Sequence, residues 1–460
     1  MTIKISSLIK IFSFVILNMC VLYALLISRT ALQTLLIIPP LIYLMGYIWF
    51  NKIFNFIQYP GMFLFNVISF IRYYLIPVLM IFESSTYTTD VYLYKGVGLL
   101  IYECVVIFIL LNVIIKKKYK KITNEKIEKD PNNEHLMIKL VIGIAILLLI
   151  MQPSILDQYN FVFNEVENIV FIKQSELVTG INSIIFNVAK LFFPVILIIY
   201  FYKIKNRNML YILSIIILLV LNVSFFSGTS RNSVVIPAIA SMFFLLKLFQ
   251  DKRKITWFLF MTTILTVTIQ LTVTKSQYLN SNSFSNLSGI INYLDVYFSG
   301  PNNLGISIKA KELYSDTFTF RTFINDLFSN APILSNYTDQ NDRTSKLFNL
   351  SFYNGGQSTD QIIPSIGQGL FYFGYLFSVV PQMVVIFLIA LLDKHYAKTT
   401  NIILMYFLAY FAARFGFGYT QNISILINFS LAVILPVISL VFVNRLINNK
   451  INLFKLNARR

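Results

Sequence analysis

Five ionisable side chains stand where an apolar sequence has little ordinary use for charge. Arg72 lies in NVISFIRYYLIPVLM, Glu103 in GLLIYECVVIF, Lys190 in IIFNVAKLFFP and Arg414 in AYFAARFGFGY. A charge near the centre of a bilayer costs at least about 2.5–3.5 kcal/mol, so such a residue normally faces a cavity or a partner. Arg72 and Glu103 fall on consecutive apolar runs with a short connection, which predicts antiparallel neighbours and an ion pair. That pair either locks a bundle or holds Arg72 ready for an anionic ligand, with Glu103 orienting it. Arg414 is near the end of its run, so it either snorkels or serves a site. The fifth residue, Arg231, lies in the turn FFSGTSRNSVV. Glycine, serine and threonine there leave backbone N–H groups free beside a guanidinium at the start of a helix. That combination suits an oxyanion or a phosphate; the alternative is a polar hairpin turn with one solvated arginine.

The remaining chemistry-bearing residues narrow the choice. Both histidines, His135 and His395, fall in basic connections, which leaves no imidazole on the opposite side as base, shuttle or metal ligand. Chemistry there must use arginine, lysine, tyrosine, backbone and carboxylates such as Glu83, Asp90, Glu165, Glu167, Asp295, Asp316, Asp326 and Asp360. Asp339 and Asp342 form DQND, which reads as exposed loop acid rather than a metal loop. No metal and no cofactor are expected.

Twelve apolar stretches must position these groups: 8–28, 31–50, 58–82, 92–115, 137–156, 178–202, 208–226, 232–249, 255–274, 368–392, 399–418 and 423–444. Each is close to the roughly 20 residues that span a bilayer as a helix. Orientation follows from the connections. KKKYKK, KIKNR, DKRK, DKHYAK and the terminal NARR all fall on one side if the spans alternate, and ESSTYTTDV on the other carries no Lys or Arg. The positive-inside rule then places both termini in the cytoplasm. The expected organisation is a bundle over 1–274, an extracytoplasmic loop or cap over 275–367, and further spans with a basic tail over 368–460. Within the loop, LSGIINYLDVYFSG (287–300) could lie along the membrane interface.

Composition agrees. Of 460 residues, 57% are hydrophobic and only 13% charged, against about 25% in soluble domains; mean hydropathy is +0.70. The net charge of +18 sits largely in the basic connections, so it points to membrane topology and not to nucleic acid. Cys20 and Cys104 both lie in apolar runs, which excludes a disulfide framework or zinc site. The run 8–28 is too long for a signal-peptide core and lacks a small-residue cleavage site, so it is read as a retained helix.

These residues resemble the bacterial oligosaccharide repeat-unit polymerases, the Wzy-type family of O-antigen and capsule synthesis. The matching features are RYYLIP from Arg72 to Pro77, LLIYE ending at Glu103, SGTSRNS around Arg231, YFSGP from Tyr297 to Pro301, and GQGLFYFGYLFSVV over 367–380. The long loop before the tenth apolar run is the most distinctive architectural match. The resemblance implies a glycosyltransferase in the inner or plasma membrane. It would move a growing glycan from undecaprenyl pyrophosphate onto the nonreducing end of a fresh lipid-linked unit, at the outer face. Arg231, Arg414, Arg72 and Glu103 would serve the reaction. Lys190, Asp295, Tyr297, Ser299, Gly300 and Pro301 would hold substrate, with Tyr293, Phe298 and Tyr353 stacking on sugars. A flippase and a chain-length regulator would be its partners.

Two other classes share the composition. A flippase for the same lipid-linked units would show two related halves with short loops, whereas these halves differ and one loop has about ninety residues. An O-antigen ligase would use an outer histidine, which this pattern lacks.

Overall fold

The computed structural model describes residues 5–28, 30–49, 59–83, 87–118, 136–153, 159–161, 177–202, 204, 206–227, 232–278, 287–329, 334–338, 343–356 and 361–457. Among these the chain is helical, apart from one short antiparallel ribbon that pairs Tyr159–Phe161 with Phe225–Ser227. Each of the twelve apolar runs is helical over most of its described residues, and the seventh runs into the strand Phe225–Ser227. Pro60–Phe82, Asp90–Ile114, Ile184–Phe201, Val380–Lys398 and Ile423–Ile447 are long and apolar enough to cross a membrane. Asn232–Leu248 and Gln250–Thr268 form a pair bent by 117°, and five further runs make shorter apolar helices. This is the architecture of a membrane-embedded helical protein, because helices satisfy their own backbone groups where water is absent.

Local signals set the helix boundaries. Asn206, Asn401 and Asn422 each accept a backbone N–H in the first turn of the helix they precede. The Pro60–Phe82 helix widens to a π-turn at Ile71–Leu75, two residues before Pro77. The last helix does the same at Ser430–Ile434 before Pro436. Proline has no N–H and its ring crowds the carbonyl four residues back, so one inserted residue relieves the clash.

The expected tenth run, 368–392, is not one helix. Ser365–Phe377 contains Gly374 at φ 71°, and a separate helix, Val380–Lys398, follows. The left-handed glycine and Pro381 in the next first turn break the axis, and FGYLFSVVP is apolar enough to hide the break from hydropathy. The described residues of the 275–367 segment, expected as a loop or cap, are largely helical. They fold into Leu287–Phe298, Pro301–Leu313, Phe320–Phe328 and Thr344–Phe352. Every residue from Pro301 to Ile308 is buried. The Pro301–Leu313 helix lies against Asp90–Lys118 so closely that a Cβ on Gly96 would collide with the Pro301 carbonyl. Leu287–Phe298, read as an interfacial helix, buries Ile291 and Asp295.

Two large apolar cores result, with two smaller clusters beside them. One gathers the Pro60–Phe82, Asp90–Lys118 and Pro301–Leu313 helices; the other gathers Leu177–Phe201, Asn232–Leu248 and Ile402–Gly418. Contacts between connections sort by end. Arg207 lies 3.5 Å from Asp251, Lys247 Nζ donates to the Thr399 carbonyl at 2.7 Å, and the Met137 N–H donates to Asn444 Oδ1 at 3.2 Å. At opposite helix ends, the Ser365 N–H donates to the Thr420 carbonyl at 2.8 Å and Thr88 to Asn302 Oδ1 at 3.0 Å. Each of these contacts joins helix ends or connections that the charge pattern assigns to the same side.

Candidate functional site

Arg72 stands on the π-turn, fully buried. Its Nη2 meets Glu103 Oε2 at 2.5 Å, as the antiparallel arrangement predicts. Its Nη1 donates to the Phe298 carbonyl at 2.8 Å and also to the Ser299 carbonyl. Glu103 Oε1 accepts from the Tyr73 hydroxyl at 2.6 Å and from Gln382 Nε2 at 2.8 Å. The guanidinium and carboxylate therefore tie four elements together: the two helices that carry them, the YFSGP segment and, through Gln382, the Val380–Lys398 helix. A buried pair with its other lone pairs and protons satisfied can offset the cost of removing it from water. Within this network Arg72 Nε and Gln382 Oε1 keep no hydrogen-bond partner.

Asp295 sits beside this network and holds the next turn. It accepts from the backbone N–H groups of Asn302 at 3.2 Å and Asn303 at 3.1 Å, and from the Tyr87 hydroxyl. It thus caps the N-terminus of Pro301–Leu313, where a carboxylate is favoured by the orphan N–H groups and the dipole. Ser299 at φ 58° makes the sharp turn between the two helices. Burial pushes the Asp295 carboxyl up to about 6, against the Tyr87 hydroxyl and the two N–H groups, which hold it down.

Buried carboxylates cap two other helices in the same way. Asp326 accepts from the Thr344 N–H at 3.2 Å and its hydroxyl at 2.5 Å, and from Gln368 Nε2; burial raises its pKa. Asp393, assigned by sequence to the basic DKHYAK connection, is instead fully buried in the last turns of Val380–Lys398. It accepts from the N–H groups of Gly61 at 3.0 Å and Met62 at 2.8 Å. Its neighbours Lys394, His395 and Lys398 follow the charge pattern, and the acid does not.

Arg414 has different surroundings. It is half-buried, with its guanidinium 5.4 Å from the centre of the Phe429 ring. Among the described residues it has no carboxylate partner. It is the last of three residues spaced by four on Ile402–Gly418, so Tyr406, Tyr410 and Arg414 form one stripe. Tyr406 and Tyr410 stack at 6.2 Å, and the buried Asn222 donates to Ser241 at 3.1 Å and to Tyr406. Phe244 meets Tyr406 at 5.7 Å, and Lys247 meets the segment just before Ile402. The Asn232–Leu248 and Ile402–Gly418 helices are therefore antiparallel. The start of the first helix, which follows Arg231, lies at the Arg414 end.

Arg231, Glu165, Glu167, Asp339, Asp342 and Asp360 lie outside the described residues. Lys190 is half-buried on Leu177–Phe201. Tyr297 stacks on Tyr293 at 5.6 Å and meets Phe298 edge-on. Gly300 and Pro301 are buried at the turn into the capped helix. Tyr353 accepts from Gln361 Nε2 at 2.8 Å, 4.9 Å from Phe352. Glu83 is half-buried, and Asp90 and Asp316 are exposed. Tyr73, Gln382, Asn222 and Tyr410 were not singled out from sequence. Gln382 and Asn222 carry the one usable signal, an uncharged polar side chain inside an apolar run.

Comparison of the chain with protein-family models, with curated proteins and with solved structures gives no match.

Proposed function

We propose that this chain is a membrane glycosyltransferase that polymerises oligosaccharide units carried on undecaprenyl pyrophosphate, at the extracytoplasmic face of a bacterial inner or plasma membrane. The observation that carries the reading is Arg414: a guanidinium in an apolar helix, beside the Phe429 ring and with no carboxylate partner among the described residues. It stands at the helix ends where the Asn232–Leu248 helix begins and where the 275–367 segment returns. A cation held in a dry setting is ready to bind an anion that develops charge.

In this reading the acceptor hydroxyl attacks the anomeric carbon of the donor glycan. The new glycosidic bond forms as the bond to the diphosphate oxygen breaks, and the diphosphate leaves with the electron pair. Arg414 and Arg231 receive its charge, and a carboxylate of the 275–367 segment takes the hydroxyl proton. Arg72 and Glu103 act through position, holding the YFSGP turn. No metal or cofactor is assigned a part. Twelve spans, with both termini cytoplasmic, set the Arg414 end outside. The pairing of basic connections at shared helix ends and the resemblance of the YFSGP and SGTSRNS segments support this arrangement.

The test is the chain-length pattern of the surface polysaccharide in cells. Arg414→Ala and Arg231→Ala should leave single repeat units in place of polymer, with the protein still present in the membrane. Arg231→Lys should fail as well, because ammonium lacks the forked contact. Normal chain length in both alanine variants would overturn the reading.

A further inference from the structure

Gln368 stands where the 275–367 segment meets the last helices, buried in the first turn of Ser365–Phe377. Its Oε1 accepts the Ile423 N–H at 2.8 Å, and its Nε2 donates to Ser424 Oγ at 3.0 Å and to Asp326 Oδ2. A backbone N–H can only donate, so the Ile423 contact fixes which way the amide points and leaves Nε2 toward the carboxylate. Asp326 belongs to Phe320–Phe328, inside the segment, and Ile423 opens the last apolar run. One buried amide therefore joins the two.

What Ile423 begins bears on Arg414. Ile402–Gly418 and Ile423–Phe429 are joined by residues 419–422. Arg414 stands about one turn before that connection. Phe429, whose ring centre is 5.4 Å from the guanidinium, stands nearly two turns after it. The connection is pinned on both sides: the Ser365 N–H donates to the Thr420 carbonyl at 2.8 Å, and the Tyr419 hydroxyl lies 2.8 Å from Ser69 Oγ. Phe429 also packs 5.9 Å from Tyr410 and 6.2 Å from Phe411. A turn or slide of Ile423–Phe429 would thus move the ring against Arg414, and the Gln368 amide ties that helix to Asp326.

We propose that Gln368 is a positioning residue for Arg414. It transmits the seating of the 275–367 segment to the guanidinium, through Asp326 Oδ2, its own amide and the Ile423 N–H in series. The consequence for chain length rests on the polymerase reading; the coupling itself rests on the geometry.

Hydrogen exchange of the detergent-purified full chain reads that coupling, in peptides covering 419–430. In Asp326→Asn the new amide turns N–H groups toward Gln368 Nε2. Turning the Gln368 amide over to meet them would aim Nε2 at the Ile423 N–H, so either orientation loses a bond. Gln368→Glu sets two carboxylates together. Each single variant should speed exchange over 419–430 about tenfold, the loss of roughly one hydrogen bond. Exchange over 394–401, at the opposite helix ends, should stay at the parent rate. Combining the two substitutions swaps donor and acceptor, because the carboxylate accepts from the Ile423 N–H and from the new amide together. The combined variant should restore slow exchange and, in cells, the polymer that Gln368→Glu loses. Parent exchange over 419–430 in Asp326→Asn, equal acceleration over 394–401, or no restoration in the combined variant would overturn the proposal. So would normal chain length in Gln368→Glu where Arg414→Ala loses polymer. Normal chain length in Arg414→Ala is instead a failure of the polymerase reading, and exchange then decides the coupling by itself.

Discussion

Arg72 and Arg414 both interrupt apolar helices, and their surroundings separate what each can do. Arg72 is occupied by Glu103 and by two backbone carbonyls of the YFSGP segment. Arg72→Ala leaves a buried carboxylate unpaired and should cost about 3–5 kcal/mol. Glu103→Gln keeps the shape and some of the hydrogen bonds, so it should cost less. Thermal unfolding of the two variants in detergent gives the order. Asp295 makes a pH-dependent contribution of known sign. Its folded pKa, about 6, lies above the ordinary carboxylate value of 3.8, so between these values the folded chain holds more of this proton than the unfolded one. That contribution to stability is fully present below about pH 4, declines as pH rises through the window, and is gone above about pH 6. Asp295→Asn should remove this slope from a pH series of unfolding curves.

At the scale of elements, close helix approach depends on the absence of side chains. Gly96 and Gly305 let the Pro301–Leu313 helix touch Asp90–Lys118, and Gly61 and Gly416 do the same for Pro60–Phe82 and Ile402–Gly418. Small residues at such crossings bring backbones into van der Waals contact where lipid supplies no hydrophobic drive. Gly96→Val or Gly416→Val should therefore destabilise by about 1–3 kcal/mol or more through overpacking. Gly98→Ala, on the open face of the same helix as Gly96, should stay within about 0.5 kcal/mol of the parent. Monodispersity and melting temperature in detergent distinguish these outcomes. The buried carboxylate caps belong to this scale too. Asp295, Asp326 and Asp393 each seat a helix N-terminus from another element, which fixes where the helix starts without water.

For the whole molecule, the prediction is sidedness. Cys20 is half-buried and Cys104 fully buried, so a background lacking both suits single-cysteine labelling. Lys254→Cys and Ser315→Cys are at exposed positions, in a basic connection and in the 275–367 segment. An impermeant maleimide should label Ser315→Cys in intact cells and Lys254→Cys only after permeabilisation. Labelling of Lys254→Cys in intact cells would place the basic connections outside and remove the proposed topology.

The helical, membrane-embedded class was legible because it depends on composition and run length, which are properties of single segments. The Arg72–Glu103 pair was legible for a similar reason, since two neighbouring runs with one short connection have few ways to pack. The break at Gly374 was not, because the residues around it are apolar on both sides. Nor was the burial of Asp393, whose partners Gly61 and Met62 lie more than 300 positions away. The sequence by itself determined that the apolar runs are helical and which charges are out of place; the helices of the 275–367 segment it did not. Tertiary structure alone decided which charge was satisfied and which was left facing rings, because a buried charge is defined by neighbours that the chain brings together only on folding.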